Sequence, residues 1–285
     1  MVSLRPAQWS KNLFVLAPLV FAEGLGQPAL VGRALLAFVV WSAAASSVYL
    51  INDVRDRAKD RLHPLKRLRP IAAGALAPSV AGAGALALAA GALAGAVYLG
   101  ALFSVFLFAY LAINVLYSYG LKNVVIVDVM AVAIGYVLRV EGGAAAVRVE
   151  VSAWILLCTV FVALFLAFSK RRHELLLLAE GAAHQREVLV HYGPTFLDQM
   201  INVVTASTLI SYALYTLAPE TVEKFGTKAL IYTLPFVLFG IFRYLYLVYQ
   251  VNDERNPTEA ILRDPPFLLN VALWGAAVVA VIYLA

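Results

Sequence analysis

Residues 52–74 read NDVRDRAKDRLHPLKRLRPIAAG, and the eighteen residues before them, 34–51, read ALLAFVVWSAAASSVYLI. The junction places Asp53, Asp56 and Asp60, three Arg and a Lys at the end of an apolar helix, then a His-Pro turn and a second basic cluster. A loop that only sets membrane topology needs Lys and Arg, but it does not need carboxylates. If the helix runs two turns past Ile51, then Asn52, Asp56 and Asp60 fall at i, i+4 and i+8 on one face, with Asp53 beside them.

That spacing is a chemical statement. Mg²⁺ prefers oxygen ligands and commonly takes one or two carboxylates together with the oxygens of a phosphorylated substrate. Asn52, Asp53, Asp56 and Asp60 are therefore the expected Mg²⁺ donors, and the three Asp the expected catalytic carboxylates. Lys66, Arg67 and Arg69 supply positive charge for phosphate groups, with Arg suited to bidentate contacts.

The rest of the chain explains where such a site sits. Of the 285 residues, 62% are hydrophobic and 14% charged, and mean hydropathy is +0.84. Several runs reach the roughly 20 apolar residues that span a bilayer. The expected fold is all-α, one polytopic membrane domain over residues 1–285, with nine spans near 12–30, 34–51, 78–98, 101–118, 124–146, 151–169, 199–217, 229–250 and 267–284. The first is interrupted by Pro18, Gly24 and Gly26. With the N-terminus inside, the cytoplasmic tail and loops hold sixteen of the twenty-two Lys and Arg. The opposite side holds Arg33, Arg148, Lys224 and Lys228, so the positive-inside rule sets the orientation. No cleavable signal peptide is expected. The lone Cys158 rules out an intrachain disulfide framework, and His63, His173, His184 and His191 form no zinc pattern. The Gly- and Ala-rich run 80–100 points to close helix packing.

Two further groups of charge lie near the same side. In YSYGLKNVVIVDVMAVAIGYVLR, Lys122 and Asp128 stand at the start of the fifth span and Arg139 three turns deeper. Ionisable residues inside a span are costly unless paired or wet. At about 16 Å along the axis Asp128 and Arg139 are too far apart to pair, so each needs another partner or a ligand, and a polar cavity lined by this face is expected. Span six ends in SKRRHEL, where Lys170, Arg171 and Arg172 are followed by Glu174 at i+4 from Lys170, consistent with a surface helix running on through Glu187. Arg243 lies inside span eight and Asp264 just before span nine, without an assigned role. Tyr244, Tyr246 and Tyr249 read as interfacial anchors.

These residues resemble the UbiA superfamily of intramembrane prenyltransferases, whose motif NDxxDxxxD is matched without a gap by Asn52, Asp53, Asp56 and Asp60. The resemblance implies nine helices around a central cavity open to the cytoplasm, in the plasma membrane, and a Mg²⁺-diphosphate site. More narrowly, the chain is similar to the decaprenyl-phosphate phosphoribosyltransferase branch. The similarity rests on RPAQWSKN near the start, HPLKRLRPIAAG, YSYGLK with a later Asp, SKRRHEL, and FRYLYLVY with a downstream Asp. It implies phosphoribosyl diphosphate as donor and a polyprenyl phosphate lipid as acceptor. Lys11, Lys66, Arg69, Tyr117, Lys122, Arg139, Lys170 and Arg171 are then the candidate substrate-binding residues, and Asp128 a candidate catalytic residue. No nucleic acid partner is expected, and a homo-oligomer is left open.

One departure bears on the reaction. Many aromatic prenyltransferases of the superfamily carry a second DxxxD motif, whereas Asp128 here has Val124 and Val132 at i−4 and i+4. That favours the isoprenoid as acceptor. The alternative is a prenyltransferase moving an isoprenyl chain from its diphosphate to an aromatic or other small acceptor, and a transporter of anionic lipids is a third reading.

Overall fold

The computed structural model describes residues 2–62, 66–179, 187–250, 261 and 263–284, and among them every regular element is helical. Eight helical segments there are long and apolar enough to cross a membrane. The described residues fall into two compact units, one up to Val151 and one from Ser152 onward.

The first unit contains α1 (Ala17–Phe21), α2 (Pro28–Arg55), α3 (Arg57–Leu62), α4 (Pro78–Leu99), α5 (Ala101–Tyr119) and α6 (Val127–Val147). Helix α2 is its axis, packing against α4, α5 and α6. Proline opens both α2 and α4 at a position whose missing N–H has no helical partner to lose. Trp41 of α2 is fully buried, edge-on to Phe103 with ring centroids 5.7 Å apart and tilted on Tyr110 at 5.4 Å. The expected close packing of the small-residue helix is realised on one face. A Cβ at Gly95 would lie 2.5 Å from Val40, and Ala81, Ala85, Ala92 and Ala96 are buried.

Over 12–30 the expected single span is not one helix. A long 3₁₀ segment, Pro6–Leu16, leads into α1; Glu23 then adopts a left-handed φ of 57°, Gly24–Gly26 makes one short 3₁₀ turn, and Gln27 is extended ahead of Pro28. The interruption has local causes. A Cβ at Gly24 would lie 2.7 Å from Leu19 Cδ1, and the residue before a proline disfavours helix. Because a 3₁₀ helix rises about 2.0 Å per residue and an α-helix 1.5 Å, Pro6–Phe21 still extends roughly 30 Å, the thickness of a bilayer core.

This segment lies along one stripe of α2. Asn12 Nδ2 donates to Ser42 Oγ at 3.0 Å, Trp9 Nε1 to Ser46 Oγ at 3.1 Å, and the Arg5 guanidinium sits 5.0 Å from the Tyr49 ring centre and pairs with Asp53. Positions 42, 46, 49 and 53 share a helical face. On its other side the segment meets α6, where a Cβ at Gly143 would lie 2.1 Å from the Val15 carbonyl oxygen and one at Gly142 2.2 Å from Trp41. Arg33 closes the far end of the unit, donating to the terminal carbonyls of Leu99 and Ala146, each at 2.6 Å. Helix C-termini favour such a cation.

The second unit holds α7 (Ala153–Ala179), α8 (Pro194–Leu217), α9 (Pro219–Phe225), α10 (Leu234–Gln250) and α11 (Pro265–Leu284). Helix α7 packs on α8, and α10 on α8 and α11. Lys170 and Glu174 pair at 3.9 Å, as their spacing predicts. The expected surface helix through Glu187 is described only to Ala179, and residues 180–186 lie outside the described residues. Of the three tyrosines expected at the membrane interface, two make contacts within the unit. Tyr244 is buried against Phe165, with ring centroids 4.7 Å apart, and Tyr249 donates to Asp198 at 2.8 Å. Tyr246 alone of the three is well exposed.

Candidate anion and metal site

The carboxylate motif keeps the register that its spacing implies, although the helix is broken there. Helix α2 ends at Arg55 and α3 begins at Arg57, yet the Asp56 N–H still donates to Asn52 O and the Asp60 N–H to Asp56 O, both at 2.8 Å. Asn52, Asp56 and Asp60 thus remain one turn apart.

Their side chains are not equivalent. Asp53 is 3% exposed, and its Oδ1 accepts from two guanidinium groups, Arg5 Nη2 and Arg69 Nη1. The same Arg69 nitrogen reaches Asp60 Oδ2 at 2.7 Å and Asp53 Oδ1 at 3.1 Å. Asn52 Oδ1 accepts from Ser118 Oγ at 2.8 Å, and Arg55 donates to the Ser118 carbonyl while stacking 4.1 Å from the Tyr119 ring centre. Asp56 is half-buried, with no ion pair among the described residues.

Among the described residues no three His, Cys, Asp or Glu side chains already surround one point. The donor chemistry nonetheless fits a hard divalent cation. Every candidate ligand is an oxygen, and Asn52, Asp56 and Asp60 follow one another a turn apart.

The remaining candidates divide by location. His63, Pro64 and Leu65 of the HPLKRLRP turn lie outside the described residues, whereas Lys66 opens a short 3₁₀ turn, Lys66–Leu68, and is half-buried. Tyr117 and Lys122, both half-buried, flank Ser118 and so stand at the end of α5 that is tied to Asn52. Asp128 is fully buried in the first turn of α6, behind Ile126 at a left-handed φ of 67° that is costly for a β-branched residue. Lys11 is half-buried on the N-terminal 3₁₀ segment. Lys170 and Arg171 belong to the second unit, where Arg171 is buried and pairs with Glu174 at 2.8 Å.

Arg139 satisfies its charge without a carboxylate. It donates to Asn12 Oδ1 at 2.8 Å, Gly135 O at 2.6 Å and Tyr110 Oη at 3.1 Å, and it is 6% exposed. Arg139 itself is thus covered by the N-terminal segment and Tyr110. In the second unit Arg243 and Asp264, unassigned from sequence, form a two-pronged pair at 3.1 and 2.8 Å, and Asp264 also accepts the Phe267 N–H at 2.8 Å as the cap of α11.

Two participants were not legible as site residues. Arg5 is 48 positions from Asp53 and could be found only as part of the RPAQWSKN run. Ser118 was visible only as the small residue inside YSYGLK.

The UbiA prenyltransferase family model matches residues 12–271. The decaprenyl-phosphate phosphoribosyltransferase of Corynebacterium glutamicum is 35% identical over 289 residues, covering 99% of this chain and 86% of that protein. The enzyme of the same name from Mycobacterium tuberculosis is 34% identical over 284 residues, covering 98% and 93%. Among solved structures, a UbiA homolog from Archaeoglobus fulgidus bound to DMAPP and Mg²⁺ superposes with a TM-score of 0.74 at 22% identity, covering 99% of this chain and 98% of that one.

Proposed function

Because this chain belongs to the UbiA prenyltransferase family, we propose that it transfers 5-phosphoribose from phosphoribosyl diphosphate to the phosphate of a polyprenyl phosphate of the decaprenyl type, releasing diphosphate. The observation that carries this reading is the identity of about a third, held over almost the whole length, with relatives named for that activity. The whole chain, 1–285, is treated as one catalytic domain, since the family match runs through both units. The distribution of Lys and Arg supports a cytoplasmic orientation of the site, in a chain taken to reside in the plasma membrane.

The chemistry suits the side chains available. A polyprenyl phosphate is anionic at neutral pH and needs no strong general base, so the protein must align the reactants and neutralise the leaving group. Asn52, Asp56 and Asp60 are the groups that would hold Mg²⁺, which when bound offsets charge on the departing diphosphate. Arg69, Lys66 and Lys122 bind phosphate oxygens, with Lys11 and Tyr117 as further substrate contacts. Asp128 orients the ribose hydroxyls. The acceptor phosphate oxygen bonds to C1 of the ribose as the C1–O bond to diphosphate breaks, from the opposite face, which inverts the anomeric centre.

Arg139 acts at one remove in this scheme. Its bond to Asn12 fastens the N-terminal segment to α6, so it positions neighbours of the site and does not grip substrate.

The test is direct. Purified protein in detergent with Mg²⁺, labelled phosphoribosyl diphosphate and a series of polyprenyl phosphates should yield a labelled lipid and free diphosphate. Consumption of a prenyl diphosphate with an aromatic acceptor, and none of the sugar donor, would replace this reading with prenyl transfer.

A further inference from the structure

Asp53 lies behind its arginines. The carboxylate side chain is 3% exposed, whereas Arg5 and Arg69, both bonded to its Oδ1, are 28% and 29% exposed. Anything arriving from water meets the two guanidinium groups first. Asp56, by contrast, is half-buried without an ion pair among the described residues.

We propose that Arg5 is a second guanidinium of the anion site, aimed by Asp53, and that Asp53 serves as the anchor of Arg5 and Arg69 and not as a metal ligand. The inference rests on the transferase reading above and specifies how its diphosphate is held.

Three observations support it. First, the Asp53 carboxylate is buried and already neutralised by two guanidinium groups on its Oδ1, whereas the nearby Asp56 is more open and makes no ion pair among the described residues, so an arriving cation finds its uncommitted carboxylate at Asp56. Second, each arginine uses only one nitrogen in its carboxylate bonds, Nη2 in Arg5 and Nη1 in Arg69. The other N–H groups make no hydrogen bond among the described residues, and a guanidinium fork matches phosphate oxygens. Third, Arg5 is held in place before any substrate arrives. Trp9 and Asn12 fasten its segment to Ser46 and Ser42, the Ser46 hydroxyl donates to the Leu4 carbonyl at 3.0 Å, and the guanidinium rests on Tyr49. An anion-binding group fixed in this way loses little freedom on binding.

The experiment uses full-length protein in detergent, inorganic diphosphate as the probe and Mn²⁺ as a spectroscopically visible cation. Diphosphate is the group common to sugar and prenyl donors, so its binding reports on Arg5 whatever the enzyme transfers. Arg5→Gln and Asp53→Asn should each weaken Mn²⁺-dependent diphosphate binding at least tenfold, and the double variant should be no weaker than either single one. The Mn²⁺ midpoint at saturating diphosphate should stay within threefold of wild type in both, whereas Asp56→Ala should raise it. Arg5→Lys should recover part of the affinity. In the transfer assay Arg5→Gln should raise the KM for phosphoribosyl diphosphate more than it lowers kcat. A tenfold higher Mn²⁺ requirement in Asp53→Asn, with wild-type diphosphate affinity in Arg5→Gln, would overturn the proposal. Should Asp53→Asn fail to fold, the Arg5 variants decide alone, and unchanged diphosphate affinity in Arg5→Gln sinks it. Failure to consume phosphoribosyl diphosphate, with the Arg5 effect intact, rejects the choice of donor and leaves the anion site standing.

Discussion

Asp56 is the residue on which metal chemistry and structure separate most cleanly. Its two neighbouring motif carboxylates, Asp53 and Asp60, are tied to arginines and help hold the fold of this corner, whereas Asp56 makes no ion pair among the described residues. Removing it should therefore cost function without costing stability. Asp56→Ala is expected to lose more than nine-tenths of turnover at saturating Mg²⁺ while its thermal unfolding in detergent stays near wild type, because a partly exposed side chain outside any network contributes about 0.5 kcal/mol or less. Chelation with EDTA should stop the wild-type reaction and Mg²⁺ or Mn²⁺ restore it. Retained activity in Asp56→Ala would remove this carboxylate from the metal site.

Between elements, the decisive contacts are close approaches and caps. The 3₁₀ segment Pro6–Leu16 reaches α6 only because Gly143 has no side chain, the Val15 carbonyl lying where a Cβ would go. Gly143→Ala should drive the new methyl group into the Val15 backbone and destabilise the first unit by about 1–3 kcal/mol. Since this segment carries Asn12 and directly follows Arg5, activity should fall with stability, which thermal unfolding and transfer assays on one preparation will show. In the second unit, the Arg243 hydrogen bond and the Phe267 N–H hold the Asp264 carboxyl below its ordinary value. A group whose folded pKa is depressed adds stability that is complete above its unfolded value and lost as pH falls through the lower folded one. Acidification below about pH 4 should therefore weaken the α11 end, and Asp264→Asn should remove that part of the pH dependence. At neutral pH Asp264→Ala should cost about 2 kcal/mol through the lost cap and ion pair.

At the scale of the whole chain, the question is which side of the membrane each end of each helix meets. In a Cys158→Ser background, Leu62→Cys and Leu121→Cys should be labelled by an impermeant thiol reagent only from the cytoplasmic face, and Arg148→Cys and Lys224→Cys only from the other. A ninth crossing, beyond the eight long apolar helices among the described residues, would have to be made by Pro6–Phe21 as 3₁₀ and α turns together. Labelling of Leu62→Cys from outside would reverse the orientation and move the donor site to the wrong compartment.

Much of this was legible in the residues. Apolar runs of bilayer length determine the helices, because backbone polar groups in lipid can be satisfied only within the segment, and the expected spans agree with α4, α5, α6 and α11 to within about three residues, whereas α2, α7 and α8 run past the expected ends into polar sequence. The period of 3.6 likewise determines that Asn52, Asp56 and Asp60 share a face, and the i+4 hydrogen bonds keep that face across the break at Asp56. What the sequence could not determine is who faces it. The partners of Asp53 come from positions 5 and 69, those of Asn52 from 118, and those of Arg139 from 12 and 110. These contacts depend on which helices pack together and how closely, which glycines at 142 and 143 and the kinked entry before Pro28 decide. A charged side chain in a span announces that it needs a partner, but only the tertiary structure chooses one, because neutral donors and acceptors from a neighbouring segment can satisfy it as well as an opposite charge.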